Sequence, residues 1–263
     1  MLTDLCQLGT DETAAPAAVF PSASASVRAN WRRLDYLAHG NERQRSAHAL
    51  LTAGVWDALA AQCADLALVS TLAIGLDRPG SDLDILCQHP DPAAFAATFA
   101  DQGWQASAKG DNIWLLERVF PCAADSGCNN RIVSWPLELY VTPAPIETLN
   151  GWRHLTLMAA LLERFGDAFY REVLRLRLEQ GLKGEAAMCR LLGLAGDPYA
   201  ALLTLEGRNL AELSWQPPSR DAMHTSTGAA AMVPVVQPSS PVFSTISATP
   251  VCPVSTESPT PIS

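Results

Sequence analysis

Two aspartates two residues apart, Asp82 and Asp84 in the stretch SDLDIL, carry the strongest chemical signal in the chain. On a β-strand successive side chains alternate, so both carboxylates point to one face while Leu83 and Ile85 point to the core. Adjacent carboxylates repel and raise each other's pKa. A divalent cation is the economical partner: Mg²⁺ takes one or two carboxylates plus phosphate oxygens, with Mn²⁺ the alternative ion. Upstream, Ser70-Thr71 is followed by Gly75. Hydroxyls and backbone N–H groups at a strand-to-helix corner hold phosphate, and a glycine lets the backbone come close. Phosphate donors ahead of a metal-binding pair are what a nucleoside triphosphate needs.

A third acid would hold a second metal or activate an attacking hydroxyl. Glu138 is the candidate, as the single acid on the alternating strand PLELYV. It reads equally as a surface residue of an edge strand. Asp77 is the other acid in reach and reads as a turn former in DRPGSD, where Pro79-Gly80 is standard turn chemistry. A plain tight turn accounts for residues 77–81 but leaves Asp84 and the Ser-Thr-x-x-x-Gly spacing unexplained.

These residues need a sheet to present them. LALVST and LDILCQ read as short buried strands, and WQASAKG, NIWLLERVF and RIVSWPLELYV as three more. Asp91-Pro92 caps and starts a helix over AAFAATFADQG. Ahead of the sheet, ANWRRLDYLAHG reads as a short amphipathic helix stopped by Gly40. Asn41 then caps ERQRSAHALLTAG, and VWDALAAQC follows as another helical segment. FPCAADSGCNN reads as a hairpin loop or an insertion. After Pro145 apolar residues recur at three- and four-residue spacing, with Gly166, Gly181 and Gly193 as helix stops and Asp197-Pro198 opening a last helix. The fold class is α+β (α/β): a mixed sheet of about five strands flanked by helices, with a helical C-terminal part. The boundaries read as a disordered extension over 1–27, the sheet domain over 28–148, helices packed on it over 149–215, and a disordered tail over 216–263. Nine of the 19 prolines fall in that tail, which has almost no charge.

The bulk properties exclude some functions. The chain has 263 residues, 48% hydrophobic, enough for a real core. A net charge of −9 disfavours a long nucleic-acid partner, which needs a basic footprint, but allows a small anionic substrate. No apolar run reaches the ~20 residues that span a bilayer, and no leader pattern opens the chain, so a cytoplasmic protein without membrane contact is expected. The seven cysteines are scattered without a CxxC pair. They read as reduced thiols, mostly small core residues, with Cys122–Cys128 the one pairing that spacing suggests.

On these residues the stretch resembles the signature of the polymerase-β-type nucleotidyltransferases. Thr71 stands at the signature serine, Gly75 at its glycine, and Ser81, Asp82 and Asp84 at its Ser-Asp-x-Asp strand. Ser70 replaces the usual first glycine. Glu138 falls where the superfamily's third acid comes. A narrower resemblance, carried by LDYLAHGNERQRSAHALL, TLAIGLDRPGSDLDILC, WRHLTLMAALLERFGDAFYREVLRL and GLKGEAAMCRLLGLAGDPYAALLTLE, is to the bacterial family called domain of unknown function 4269, over about residues 31–206. It implies a nucleotidyltransferase-like fold. The expected activity is Mg²⁺-dependent transfer of a nucleoside monophosphate from an NTP to a small-molecule or protein hydroxyl. Asp82, Asp84 and Glu138 would be the catalytic and metal-binding acids, with Ser70, Thr71, Gly75 and Ser81 around the phosphates. Arg153, opening the helix NGWRHLTLM, joins them as a planar contact for phosphate or an acidic substrate. His154 beside it reads as a satisfied helix histidine, and Lys109 and Arg131 as weak strand-end cations. The alternative is a non-catalytic module that binds a nucleotide or a partner protein. A third arrangement, a toxin–antitoxin-like pair, would add a small helical protein partner.

Overall fold

The computed structural model describes residues 31–121 and 134–218. The expected N-terminal extension, nearly all of the expected tail, residues 122–130 of the FPCAADSGCNN stretch with Cys122 and Cys128, and Arg131 lie outside the described residues, while Phe120 and Pro121 of that stretch end β4.

Chain order is α1 (Glu42–Leu50), α2 (Trp56–Ala60), β1 (Asp65–Leu68), β2 (Leu83–Gln88), α3 (Pro92–Ala100), β3 (Gln105–Gly110), β4 (Ile113–Pro121), β5 (Ser134–Thr142), α4 (Asn150–Gln180), α5 (Gly184–Leu192) and α6 (Pro198–Leu203). The five strands form one mixed sheet, α3 is the helix inserted among them, and the C-terminal part is helical, as the sequence pattern predicts. Local chemistry explains the helix starts. Asn41 and Gln44 form a reciprocal capping box at α1. Asp91 and Asp197 each accept from a first-turn amide, with proline at the first helical position. Gly166 breaks α4 with φ 71° and ψ −162°, and Gly181 closes it in the left-handed region at φ 69°. The expected helix over ANWRRLDYLAHG is only a 3₁₀ turn, Asp35–His39. Trp31 and Leu34 are buried and the carbonyl of Trp31 accepts from Leu68 N at 3.0 Å, so the start of the segment is tied to β1 instead of to a helical turn.

Strand order is β1-β2-β5-β4-β3, with β2 and β5 parallel and the other pairs antiparallel. Glu138 is therefore on the central strand, which removes the edge-strand reading. Leu83, Ile85 and Cys87 of β2 pair in register with Leu137, Leu139 and Val141 of β5, and all six are buried in the main core. Alternation sends Asp84 and Glu138, also paired in register, to the opposite face.

The cysteine expectation needs correction. Cys63 and Cys87 form a disulfide across a Cα–Cα distance of 5.9 Å, joining the end of the helical N-terminal part to β2. Their separation of 24 residues hid a pairing that the antiparallel β1–β2 hairpin creates in space. Cys189 is the free cysteine among the described residues, and it is buried.

Asp77 is also more than a turn former. The turn lies one residue later: Ser81 N donates to Arg78 O at 2.9 Å, and Gly80 takes φ 83° at the third position. Asp77 is buried and accepts from Arg43 Nε at 2.6 Å, while Asn41 Nδ2 approaches at 3.3 Å. The Arg43 guanidinium lies 4.3 Å over Trp135 and also donates to Ser81 O at 3.1 Å. This clamp ties α1 to the turn that precedes Asp82.

Removing one partner of a buried pair strands the other, which costs roughly 3–5 kcal/mol, whereas an exposed pair contributes about 0–1 kcal/mol. Asp77→Asn should therefore lower the urea unfolding free energy by about 3 kcal/mol. Asp35→Asn, which breaks the exposed Arg33–Asp35 pair, should change it by less than about 0.5 kcal/mol. Equal effects of the two substitutions would remove the clamp from the account.

Candidate functional site

One cavity of about 870 Å³ opens on the face of the sheet that carries Asp84. Asp82, Asp84 and Glu138 line one side of it. Asp84 and Glu138 are held together by the parallel β2–β5 register, and Asp82 by the corner before β2. There Ser70 Oγ donates to Asp82 O at 3.0 Å and accepts from Leu72 N at 3.1 Å. Val69 N donates to Asp84 O at 2.8 Å, carrying the β1–β2 pairing up to the acids.

The acids feel one another. Burial, then the charges of Asp82 and Glu138, push the Asp84 carboxyl up to about 7. Burial, then Asp82 and Glu117, also raise Glu138, while Lys109 pulls it down. Among the described residues no three His, Cys, Asp or Glu side chains converge as a ready metal cage. Two carboxylates with phosphate oxygens suffice for Mg²⁺, however, and the repulsion at Asp84 is what a hard cation would relieve.

The expected phosphate corner divides. Thr71 and Ser81 line the cavity; Ser70 and Gly75 do not. Ser70 is only 1% exposed, and its hydroxyl is engaged in the two bonds that fix the corner. Gly75 caps the 3₁₀ turn Thr71–Ile74 at φ 72° and accepts from Tyr170 OH at 2.8 Å, so its requirement for glycine is conformational. Arg153 also falls outside the cavity lining: its Nε donates to Glu206 at 2.9 Å and its Nη1 to Asn150 at 3.0 Å. Its neighbour His154 does line the cavity, donating from Nε2 to the carbonyl of Tyr199 at 3.0 Å, a satisfied helix histidine as expected.

The side that sequence reasoning missed is cationic. Arg78, Arg177 and Lys183 line the cavity beside Thr71. Arg78 Nη1 donates to Gly181 O at 2.8 Å, Arg177 Nη2 to Thr71 Oγ1 at 3.2 Å, and Lys183 Nζ to Tyr199 OH at 2.8 Å. A signal for Arg177 exists in the sequence. It continues the buried stripe Phe169, Val173 and Leu176 of α4, where a charge is out of place without a purpose.

The acids and the cations fall within a stretch of the chain that a family model matches. The chain belongs to the family described as domain of unknown function (DUF4269). The family model matches residues 48–205, which include every cavity-lining residue of the DUF4269 domain. No curated protein matches the chain. Among the described residues no helix is long and apolar enough to cross a membrane.

The raised Asp84 carboxyl has a definite stability sign. The folded state holds its proton up to about pH 7, whereas an unfolded aspartate releases it near 3.8. The folded protein thus binds more protons in that window and loses stability as pH rises through it. In EDTA, Asp84→Asn should flatten this loss and make the protein more stable than wild type at pH 8, by on the order of 2–4 kcal/mol. Parallel urea-derived stability curves for the two proteins from pH 5 to 8 would contradict the burial assigned to Asp84.

Proposed function

We propose that the DUF4269 domain is a Mg²⁺-dependent nucleotidyltransferase of the polymerase-β-like superfamily, moving a nucleoside monophosphate from an NTP to a small-molecule or protein hydroxyl. The observation that carries the reading is the in-register placement of Asp84 beside Glu138, with Asp82 adjacent, in a cavity that also presents three cations. Asp82 and Asp84 would hold the metal, with Glu138 completing the set. Bound there, Mg²⁺ or Mn²⁺ would neutralise charge on the phosphate oxygens during transfer.

The chain's own residues would do the rest. The acceptor oxygen attacks the α-phosphorus, a new P–O bond forms, and the bond to the β-phosphate breaks, releasing pyrophosphate. The hydroxyl proton passes to a carboxylate, and Glu138, raised in pKa by burial and its acidic neighbours, suits that role. Thr71 and Ser81 offer hydroxyls at the cavity wall.

A second reading, ligand binding without turnover, is favoured by the lack of a converged three-acid cage among the described residues and by the inward-facing Ser70 corner. The same experiment separates the two. After incubation with Mg²⁺ and each NTP in turn, with a panel of acceptors, pyrophosphate release and the mass of the protein are measured. The transferase reading expects pyrophosphate from at least one NTP, falling at least ~100-fold in Asp82→Asn and in Asp84→Asn. Nucleotide capture without pyrophosphate favours the binding module. Mg²⁺-dependent capture unchanged in both variants would sink the metal assignment.

A further inference from the structure

Arg177 is the outlier of the cavity. It is 4% exposed, and its Nε is buried without a hydrogen-bond partner. Its Nη2 reaches only a neutral hydroxyl, that of Thr71. Among the described residues, Arg78, Arg177 and Lys183 form no ion pair; the ion-paired cations are Arg32, Arg33, Arg43, Arg153 and Arg175. Burying a charge without a counter-ion is costly, and a native chain tolerates it where a ligand supplies the opposite charge. Burial and the neighbouring Arg78 guanidinium push Arg177 below the usual guanidinium range, against the weaker opposing pull of Glu185 and Asp77, neither of which forms an ion pair with it.

The surroundings are shaped for it. Gly184 opens α5 at the cavity wall, and a Cβ there would lie 3.3 Å from Arg177 Nη1 and 3.0 Å from Met158 Sδ. No side chain caps the N-terminus of α5, whose orphan amides favour an anion. Glu185 in that first turn also lines the cavity, so the cationic side is not of a single sign.

We propose that Arg177, with Arg78 and Lys183, forms a phosphate-binding subsite that takes the polyphosphate group of the cavity's ligand. The inference rests on the nucleotide reading above for the identity of the ligand, and it moves phosphate capture from the Ser70–Gly75 corner to the C-terminal helices. The planar guanidinium of Arg177 offers a fork of donors to phosphate oxygens, Lys183 a point charge, and Arg78 a second fork from the turn ahead of Asp82. A polyphosphate held there sits in the same cavity as Asp82 and Asp84, so its remaining oxygens can meet a metal on the acids.

The probe is inorganic tripolyphosphate, titrated calorimetrically into the full chain in EDTA. Saturable binding is expected, weakened at least tenfold in Arg177→Met and several-fold in both Lys183→Met and Arg78→Met. Arg153→Ala should stay within twofold of wild type. Gly184→Ala keeps every charge but intrudes on Arg177, and should also weaken binding. Asp84→Asn should bind as well as wild type or better, since it removes a like charge. Absence of saturable binding to wild type overturns the proposal, as does wild-type affinity in Arg177→Met. If Arg177→Met does not fold, Arg78→Met and Lys183→Met decide, and wild-type affinity in both overturns it. Because no metal or nucleotide is present, tripolyphosphate bound through Arg177 in a protein that releases no pyrophosphate from any NTP would leave this subsite standing and the transferase reading failed.

Discussion

The parallel pairing of β2 with β5 is the constraint on which the site depends. It sets Asp84 beside Glu138, an arrangement that like-charge repulsion and burial both oppose. The register cannot relax to avoid it. A one-residue slip would turn Leu83, Ile85 and Cys87, or their partners Leu137, Leu139 and Val141, away from the core. Each such side chain gains roughly 1.5–3 kcal/mol from burial. Three of them outweigh a repulsion worth a few kcal/mol. The core face thus enforces an unfavourable pair on the opposite face, and the strain there is available to a ligand that supplies positive charge.

Much of this acidic side was legible in the sequence because its signals are local. The two-residue spacing of Asp82 and Asp84 and the alternation of PLELYV point to Asp84 and Glu138 on strand faces without any knowledge of the fold, and Asp82 falls one residue ahead of β2 instead of within it. The caps at Asn41, Asp91 and Asp197 and the stops at Gly181 and Gly193 are local too, and they stand where the sequence placed them, while the stop expected at Gly166 is a break inside α4. Strand order is not local. Nothing in PLELYV says that β5 lies between β2 and β4, so the choice between an edge position and a site for Glu138 could not be made. The disulfide and the Arg43–Asp77 clamp escaped for the same reason: each joins residues far apart in the chain.

The cations were missed for a different reason. Lys and Arg on helices are usually solvated, and RLRLEQGLKGE reads as an ordinary helix end. Only the phase of α4 distinguishes Arg175, on the partly exposed side with Glu172 and Glu179 as partners, from Arg177, two residues on and buried. Arg153 misled in the opposite sense. It stands next to the cavity-lining His154, but one step along a helix turns a side chain by about 100°, and Glu206 holds it there.

A glycine at a phosphate-binding corner offers bare backbone to the ligand, whereas the Ser70 hydroxyl bridges Leu72 N and Asp82 O and turns the corner inward. What it gives up in phosphate contact it returns as position: the carbonyl it holds belongs to Asp82, the first of the two aspartates. With its hydroxyl engaged in this way, Ser70 leaves phosphate contact, on the proposed reading, to other donors of the cavity. Arg177 and Lys183 from the C-terminal part and Arg78 from the turn ahead of Asp82 bring three cations without an ion pair among the described residues to the same cavity. The acids and cations already sense each other, since Lys183 lowers Asp84 while Asp82 raises Lys183. A ligand carrying a cation and a polyphosphate together would place positive charge on the acids and negative charge on the cations. Neither a bare cation nor a bare anion satisfies both.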